Sequence, residues 1–539
     1  MTTKAASSAA ASVGYEGERA LAASAAALAV EPKAAYRALV ARDARFDGRF
    51  FVGVRTTGIY CRPVCRVRTP LERNCVFHIS AAAAEAAGFR PCLRCRPELA
   101  PAVVLVLGGQ RLAEVAARLI EDRVAGGAAT DPRALLPVIA ARVGVGERHL
   151  RRLFVARFGV SPVSYAQTQR LLLARRFLLE TRWTIGEIAI ASGFASRRRM
   201  NDLFSARYGM PPRRLRSPAG RASAGVPTSA RFMVHYRPPY DMNAMFNFLA
   251  DRAIAGIESV ETGKGQAYRR TLRVGPTAGG ATARGVVEVR PMPSEHALQV
   301  EISAPLAPHI AVLLAAVRRV FDTGADPQAI GDALGPLASE APGLRLPGAF
   351  DPFELAVRAI LGQQVTVKAA RTLTNRFVAA FGEELADCDV LAAGLCNRTF
   401  PAPARVAALE VNAIAALGIL RTRAKAIVEL ARQVVARTID LSGLAAPDAV
   451  TAQLKTIRGV GPWTAHYIAM RALSWPDVWL PGDVIVHKVL GLPNTPTGRR
   501  RAQHLSAAWA PWRSYAVLHL WRRNLPAQRQ SFRDSEPSP

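Results

Sequence analysis

LKTIRGVGPWTAHYIAMRALSWPDVWLPGDVIVHK, Leu454 to Lys488, decides how the chain is read. Its pattern is helix, tight glycine turn, helix, short loop, aspartate. One helical run closes at Thr456 and Ile457, and Arg458-Gly459-Val460-Gly461 is too rich in glycine to continue it; glycine permits φ > 0 where a turn needs it. Pro462 suits the first position of a new helix, where its missing N–H costs nothing. A glycine turn feeding a helix N-terminus leaves several amide N–H groups unpaired, and these, with the helix dipole, receive a phosphate oxygen. Trp463 and Tyr467 are four apart and share a helix face just past the turn. Asp483 follows a Leu-Pro-Gly bend that returns the chain toward that face. Alone, the hairpin is any αα turn and Asp483 a helix N-cap; in this order and spacing they form one motif.

That motif, LxxxxGVGxWTAxY followed by LPxDxxxxK, resembles the helix-hairpin-helix glycosylase superfamily, the HhH-GPD proteins, and within it the AlkA-type DNA-3-methyladenine glycosylases II. PPYD at 238–241 and GLRLPGAFDPFELAVRAILGQQV at 343–365 extend the resemblance over about Arg231 to Leu525. It implies base excision repair by hydrolysis of an N-glycosidic bond. Alkylation puts positive charge on a purine and makes it a good leaving group, so the sugar left behind becomes cationic. A carboxylate about 4 Å from that cation, at an effective ε of about 20, is worth about 4 kcal/mol, nearly three decades in rate. Asp483 is assigned this role and the positioning of the attacking water. The base must leave the stack first, into an electron-rich pocket of Trp463, Tyr467 and, by resemblance, Trp521 in VLHLWRR, since aromatic faces attract a cationic ring. The amides of Gly459 and Gly461 would anchor a backbone phosphate, and the resemblance implies a monovalent cation bound at the hairpin. Bifunctional relatives carry a lysine where Trp463 stands, so the expected enzyme is monofunctional. Two positions depart from the pattern. Gln364 falls where the family wedges an apolar residue into the gap left by the flipped base, and Gly482 replaces an acidic neighbour of Asp483.

The totals agree with a nucleic-acid partner. The 539 residues suggest three or four domains. The net charge of +30 points to a polyanion, nucleic acid before membrane surface; a GC-rich genome explains arginine over lysine but not the scarcity of acids. No run of 18 apolar residues and no basic-then-apolar leader appear, so neither a membrane span nor secretion is expected. Seven cysteines, four of them in a metal-type pattern, argue for a reducing bacterial cytoplasm.

Those four are Cys61-x3-Cys65 and Cys92-x2-Cys95, a spacing suited to one tetrahedral zinc. Cys75 reads as a buried small hydrophobe, and Cys388 and Cys396 as structural. FVGVRTTGIYCRPVC at 51–65 and AGFRPCLRCRPE at 87–98 resemble the Ada-type methylphosphotriester-DNA–protein-cysteine methyltransferase region, from about Tyr36 to Pro97. The resemblance implies that Cys61 is both zinc ligand and methyl acceptor. Zinc keeps a thiolate ionised yet nucleophilic, and a methylated phosphate has lost the charge that would repel it. Methylation removes one unit of negative charge, worth roughly 2 kcal/mol about 8 Å from a phosphate at ε of about 20, before salt screening. DNA affinity should therefore rise on methylation by an order of magnitude or more.

Between these regions, LLPVIAARVGVGERHLRRLFVARFGVSP and TIGEIAIASGFASRRRMNDLFSARYGMPP each read as helix, turn, helix, joined by a long helix from Val163 to Glu180. They resemble the AraC-family DNA-binding domain. Sixteen arginines face four acids between Arg142 and Arg216. The expected recognition helices are Glu147–Phe158, with Arg148, His149, Arg151 and Arg152, and Ser196–Tyr208, opened by Arg197, Arg198 and Arg199.

The expected architecture is multidomain and mainly α with α+β parts. Residues 1–33 form a disordered lead; 34–105 a small zinc-binding α/β domain, ending at a VVLVL connector; 106–216 an all-α double helix-turn-helix domain. A small-residue linker at 217–230 leads to an AlkA-like sheet domain at 231–345, the all-α helix-hairpin-helix glycosylase domain at 346–525 and a loose tail at 526–539. Strands are expected at 231–237, 267–274, 285–291 and 297–303, covered by helices at 241–255 and 307–321. No Pro-Cys-His-Arg sequence occurs, so an O6-methylguanine methyltransferase half is not expected. The reading is an alkylation-damage sensor, regulator and glycosylase in one chain. Its partners would be double-stranded DNA at alkylated sites and promoters, and RNA polymerase as the target of an activator. The alternatives are a transcription factor whose glycosylase part only grips DNA, and a metal-sensing regulator with a structural zinc.

Overall fold

The computed structural model describes residues 30–101, 111–125, 132–143, 145–216, 229–275, 282–385, 396–442 and 447–524. Most of the expected lead, the VVLVL connector, Gly144, the core of the linker, Cys388 and the tail lie outside them.

The N-terminal region is built on a four-stranded sheet. Strands β1 (Phe51–Val54), β2 (Ile59–Cys61), β3 (Cys75–His78) and β4 (Arg90–Pro91) lie in the order β3-β1-β2-β4. β4 runs parallel to β2, with Tyr60 opposite Pro91. The next residue on each strand is a cysteine, so this one pairing brings Cys61 beside Cys92.

Helices follow at Arg111–Ala125, Pro132–Val143, Glu147–Phe158, Pro162–Glu180, Ile185–Ala191 and Arg197–Tyr208. Their ends follow local chemistry. Ser161, Thr184 and Ser196 accept hydrogen bonds from backbone amides three residues on, and Thr184 with Glu187 completes a capping box. Gly159 (φ 72°) and Gly209 (φ 67°) end the two expected recognition helices in the left-handed conformation. Leu150, Phe154 and Phe204 are buried beneath these helices, with Leu153 and Leu203 half-buried beside them.

The next part is a five-stranded antiparallel sheet, one strand more than expected. It runs β5 (Ser229–His235), β9 (Ala297–Ser303), β8 (Ala283–Met292), β7 (Ala267–Val274) and β6 (Glu258–Glu261). β6 was not anticipated because ESVE is a short, charged edge with almost no alternation, and edge strands favour charge. The covering helices are shorter than expected. The first spans Met242–Ala250, and in the second a 3-10 turn at Ala304–His309 precedes Ile310–Val320. The sheet does not pack alone: Phe177, Phe204 and Tyr208 of the helix-turn-helix region share one continuous core with Phe232, Phe246 and Val300.

From Pro352 the chain is almost entirely helical, and a second large core buries Phe353, Ile360, Ile427, Leu454, Ile468 and Tyr515. Helices Pro447–Thr456 and Pro462–Ala472 flank the glycine turn, and Val484–Val489 begins directly after Asp483.

Candidate functional site

The second helix of the hairpin, Pro462–Ala472, places Trp463 and Tyr467 on one face, their rings stacked at 5.1 Å and 8° apart. Helix Arg513–Arg523 brings Trp521 to the same place, 6.4 Å from Tyr467. Asp483 lies among them. Gly482, at φ 73°, turns the chain into it, and Asp483 caps its helix through Oδ1, which accepts from the Val486 amide at 2.9 Å. The N-cap role and the site role are thus held by one carboxylate. Trp463 Nε1 donates to Oδ2 at 2.9 Å and Trp521 Nε1 to Oδ1 at 3.1 Å. All three partners donate, so every contact favours an acceptor. Asp483 is only 5 % exposed, yet it lines a cavity of about 1240 Å³ together with Trp463, Tyr467 and Trp521. Phe248, Arg252 and Phe350 also line this cavity, so it lies between the sheet and the helical part. Trp463, where bifunctional relatives carry a lysine, is committed to the carboxylate.

Arg471 was not anticipated. It is 4 % exposed and donates to the Tyr467 hydroxyl at 2.9 Å, with its guanidinium 4.6 Å from the Phe248 ring. Burial alone would raise the Tyr467 phenol, but Arg471, Arg252 and Arg358 outweigh it and hold the group below its usual value. Burial in turn brings the Arg471 guanidinium down to about 10. The signal was present, since Arg471 follows Tyr467 by four and shares its face; Phe248, more than two hundred positions away, left none.

The hairpin distinguishes its two glycines. Gly459 needs its freedom, at φ 97°. Gly461 does not, at φ −82°, but a Cβ there would meet nothing within 4 Å, so that side of the turn is open. Both are exposed, as is Gln364, which sits at φ 53° in the turn between helices Pro352–Leu361 and Val367–Phe381. Beside Gly482 lies Arg499, whose Nε is held by Asn494 Oδ1 at 2.8 Å.

In the N-terminal region the sulfurs of Cys61, Cys65, Cys92 and Cys95 lie within 4.8 Å of one another. A tetrahedron with zinc–sulfur bonds of about 2.3 Å has edges of roughly 3.8 Å, so the four fit one zinc ion. Cys75 stands apart, half-buried, its thiol directed at the Leu71 carbonyl; it is a less buried residue than expected. Cys396 is buried, as a structural cysteine should be. The Arg62 amide donates to Cys95 Sγ at 3.4 Å, and the Arg62 side chain pairs with buried Asp47. Arg175, from the long helix, donates to the Cys92 carbonyl at 2.7 Å. Arg148, His149, Arg151, Arg152, Arg197, Arg198 and Arg199 are all exposed on their two helices.

A stacked aromatic cleft with a buried carboxylate held between two indoles behind a glycine hairpin defines a helix-hairpin-helix DNA glycosylase, here in one chain with a four-cysteine zinc site and paired helix-turn-helix units. Family models match in the same order. They are the metal binding domain of Ada over 34–98, a helix-turn-helix domain over 139–217, the AlkA N-terminal domain over 231–351 and the HhH-GPD superfamily base excision DNA repair protein over 357–511. The probable bifunctional transcriptional activator/DNA repair enzyme AlkA of Mycobacterium tuberculosis is 38% identical over 502 residues, 90% of this chain and 95% of its own. DNA-3-methyladenine glycosylase 2 of Escherichia coli is 40% identical over 291 residues, 54% of this chain and 96% of its own. The bifunctional transcriptional activator/DNA repair enzyme Ada of Escherichia coli is 39% identical over 145 residues, 26% of this chain and 37% of its own. The chain belongs to the family of AlkA-type bifunctional transcriptional activators and DNA repair enzymes. Among the described residues no helix is long and apolar enough to cross a membrane.

Proposed function

We propose that this protein recognises alkylated double-stranded DNA, releases 3-methyladenine-type bases as a monofunctional glycosylase, and regulates transcription through its helix-turn-helix units. The observation that carries the enzymatic part is Asp483, anchored by three donors at the edge of an aromatic-walled cleft. An alkylated purine stacks against Trp463 and Tyr467, and the carboxylate stabilises the sugar cation as the base departs. Water then completes the hydrolysis. The exposed hairpin amides at Gly459 and Gly461 hold a backbone phosphate, where a monovalent cation would assist them if bound, and Gln364 fills the gap in the stack. Asp483→Asn keeps the size but loses the charge and turns an amide N–H toward one of the N–H donors. It should lose about three decades of base release from methylated duplex while retaining duplex binding. Unchanged release would remove Asp483 from the chemistry, and no release from the wild type would leave the region as a DNA grip only.

The zinc site supports a second activity in the same chain. Bound zinc supplies a stable, ionised set of thiolates. Cys61 sulfur attacks the methyl carbon of a methylphosphotriester; the carbon–oxygen bond breaks, a thioether forms and the phosphodiester anion leaves. The thioether has no route back, so the event occurs once per molecule, and it switches the regulator on toward promoter DNA and RNA polymerase. After exposure to DNA carrying methylphosphotriesters, mass spectrometry should find one added methyl on Cys61. No added methyl would reduce the zinc to a structural role.

A further inference from the structure

Gln363 sits between the tip of the turn that presents Gln364 and the phosphate-facing hairpin, and it bonds to both. Both hydrogens of its side-chain amide are used: Nε2 lies 2.8 Å from the Gly459 carbonyl oxygen and 2.9 Å from Thr464 Oγ1. Its backbone carbonyl accepts from Arg423, a buried side chain of helix Arg421–Val435 that also reaches the Leu361 carbonyl at 3.4 Å. Three elements meet on one residue, and the next residue, Gln364, projects into solvent in the left-handed conformation.

We infer that Gln363 is a positioning residue that holds the inserted tip at a set offset from the hairpin's phosphate grip. This rests on the glycosylase reading and adds to it how the duplex is opened in register. Neighbouring steps along one strand are about 3.4 Å apart. A tip that drifts by that much against the hairpin enters the wrong gap, and the base opposite the pocket stays stacked. A single amide spanning both elements removes this freedom, and it acts on base extrusion rather than on bond cleavage.

The test uses the full-length protein and duplexes with one methylated base, either normally paired or facing an abasic site. A base without a partner needs little help to leave the stack. Gln363→Ala should slow release from the paired duplex by about tenfold, the loss of two hydrogen bonds, and by less than about twofold when the partner base is missing. Gln363→Glu is nearly the same size but turns an acceptor toward the Gly459 carbonyl. It should be at least as impaired as alanine, whereas a role in packing alone would leave it near wild type. Equal slowing on both duplexes, or a wild-type Gln363→Glu, overturns the proposal. Fluorescence of 2-aminopurine beside the lesion reads extrusion independently of catalysis. If the wild type releases no base, the glycosylase reading falls by itself, and a reduced fluorescence rise in Gln363→Ala still supports the positioning role.

Discussion

Asp483 meets its two tryptophans from far along the chain, Trp463 twenty positions before it and Trp521 thirty-eight after it. The indoles therefore do more than present flat faces to the cleft, since each also fixes one oxygen of the carboxylate. This separates two contributions that alanine would remove together. Trp463→Phe keeps the aromatic face against Tyr467 but drops the donor to Oδ2. A hydrogen bond to a charged group is worth about 1.5–3 kcal/mol, so release should fall about ten- to hundredfold, with KM for methylated duplex little changed. Trp463→Ala should raise KM as well. Steady-state kinetics on one oligonucleotide checks both, and a Phe variant with full kcat would show that Trp463 only stacks. The motif spacing made Trp463, Tyr467 and Asp483 legible as a group. The bonding among them was not legible, because it depends on how helix Arg513–Arg523 crosses the hairpin, and no local pattern encodes a crossing.

The glycine hairpin shows how far local chemistry reaches at the scale of an element. Its position, flanking helices and proline start all follow from residues 454–472. Which glycine bears the strain does not. A Cβ at Gly459 would find only ordinary contacts, 3.7 Å from Ala426 Cβ and the Thr422 carbonyl oxygen, so the cost of a side chain there is conformational. Holding alanine at φ 97° costs about 1–2 kcal/mol. Gly459→Ala should therefore lower the stability of the helical part by that amount and weaken duplex binding. Gly461→Ala should fold normally and weaken binding only through the bulk it adds on the open side. Thermal melts and duplex titrations of the two variants separate these outcomes; equal melting losses would refute the distinction. The unanticipated strand β6 has the same lesson. Its four residues join the sheet because Tyr268 and Arg270 on β7 offer partners, which a short charged stretch does not announce.

At the scale of the whole molecule, the four matched regions are joined by buried polar contacts that sequence reading by domains could not foresee. Arg237 of the sheet region is fully buried and donates to the Asp47 carbonyl at 2.8 Å, beside the zinc site, and to the Gly324 carbonyl at 2.8 Å. Glu85 does the same between the zinc region and the helix-turn-helix units. It is 2 % exposed and accepts from Tyr60 at 3.1 Å, Thr168 at 3.1 Å and Tyr208 at 3.2 Å, with Arg207 3.9 Å away. Tyr60 precedes Cys61, and Tyr208 ends the second expected recognition helix, so this carboxyl ties the strand of Cys61 to that helix. Burial raises Glu85 from an ordinary carboxyl value to about 7, more than Arg207 and the three hydroxyls lower it. The folded chain then keeps a proton that the unfolded chain releases as pH rises above about 4.5. The associated stability, about 3 kcal/mol, is fully present below that pH and is lost progressively up to pH 7. His78, buried and held down to about 4, contributes the opposite slope over most of this range, so the difference between variant and wild type is the informative quantity. Glu85→Gln has no proton to lose. Its stability relative to wild type should rise with pH between about 4.5 and 7 and level off above. Chemical denaturation across that range measures the difference, and a flat difference would show that Glu85 is ionised in the fold throughout, with Arg207 rather than the buried surroundings setting its charge.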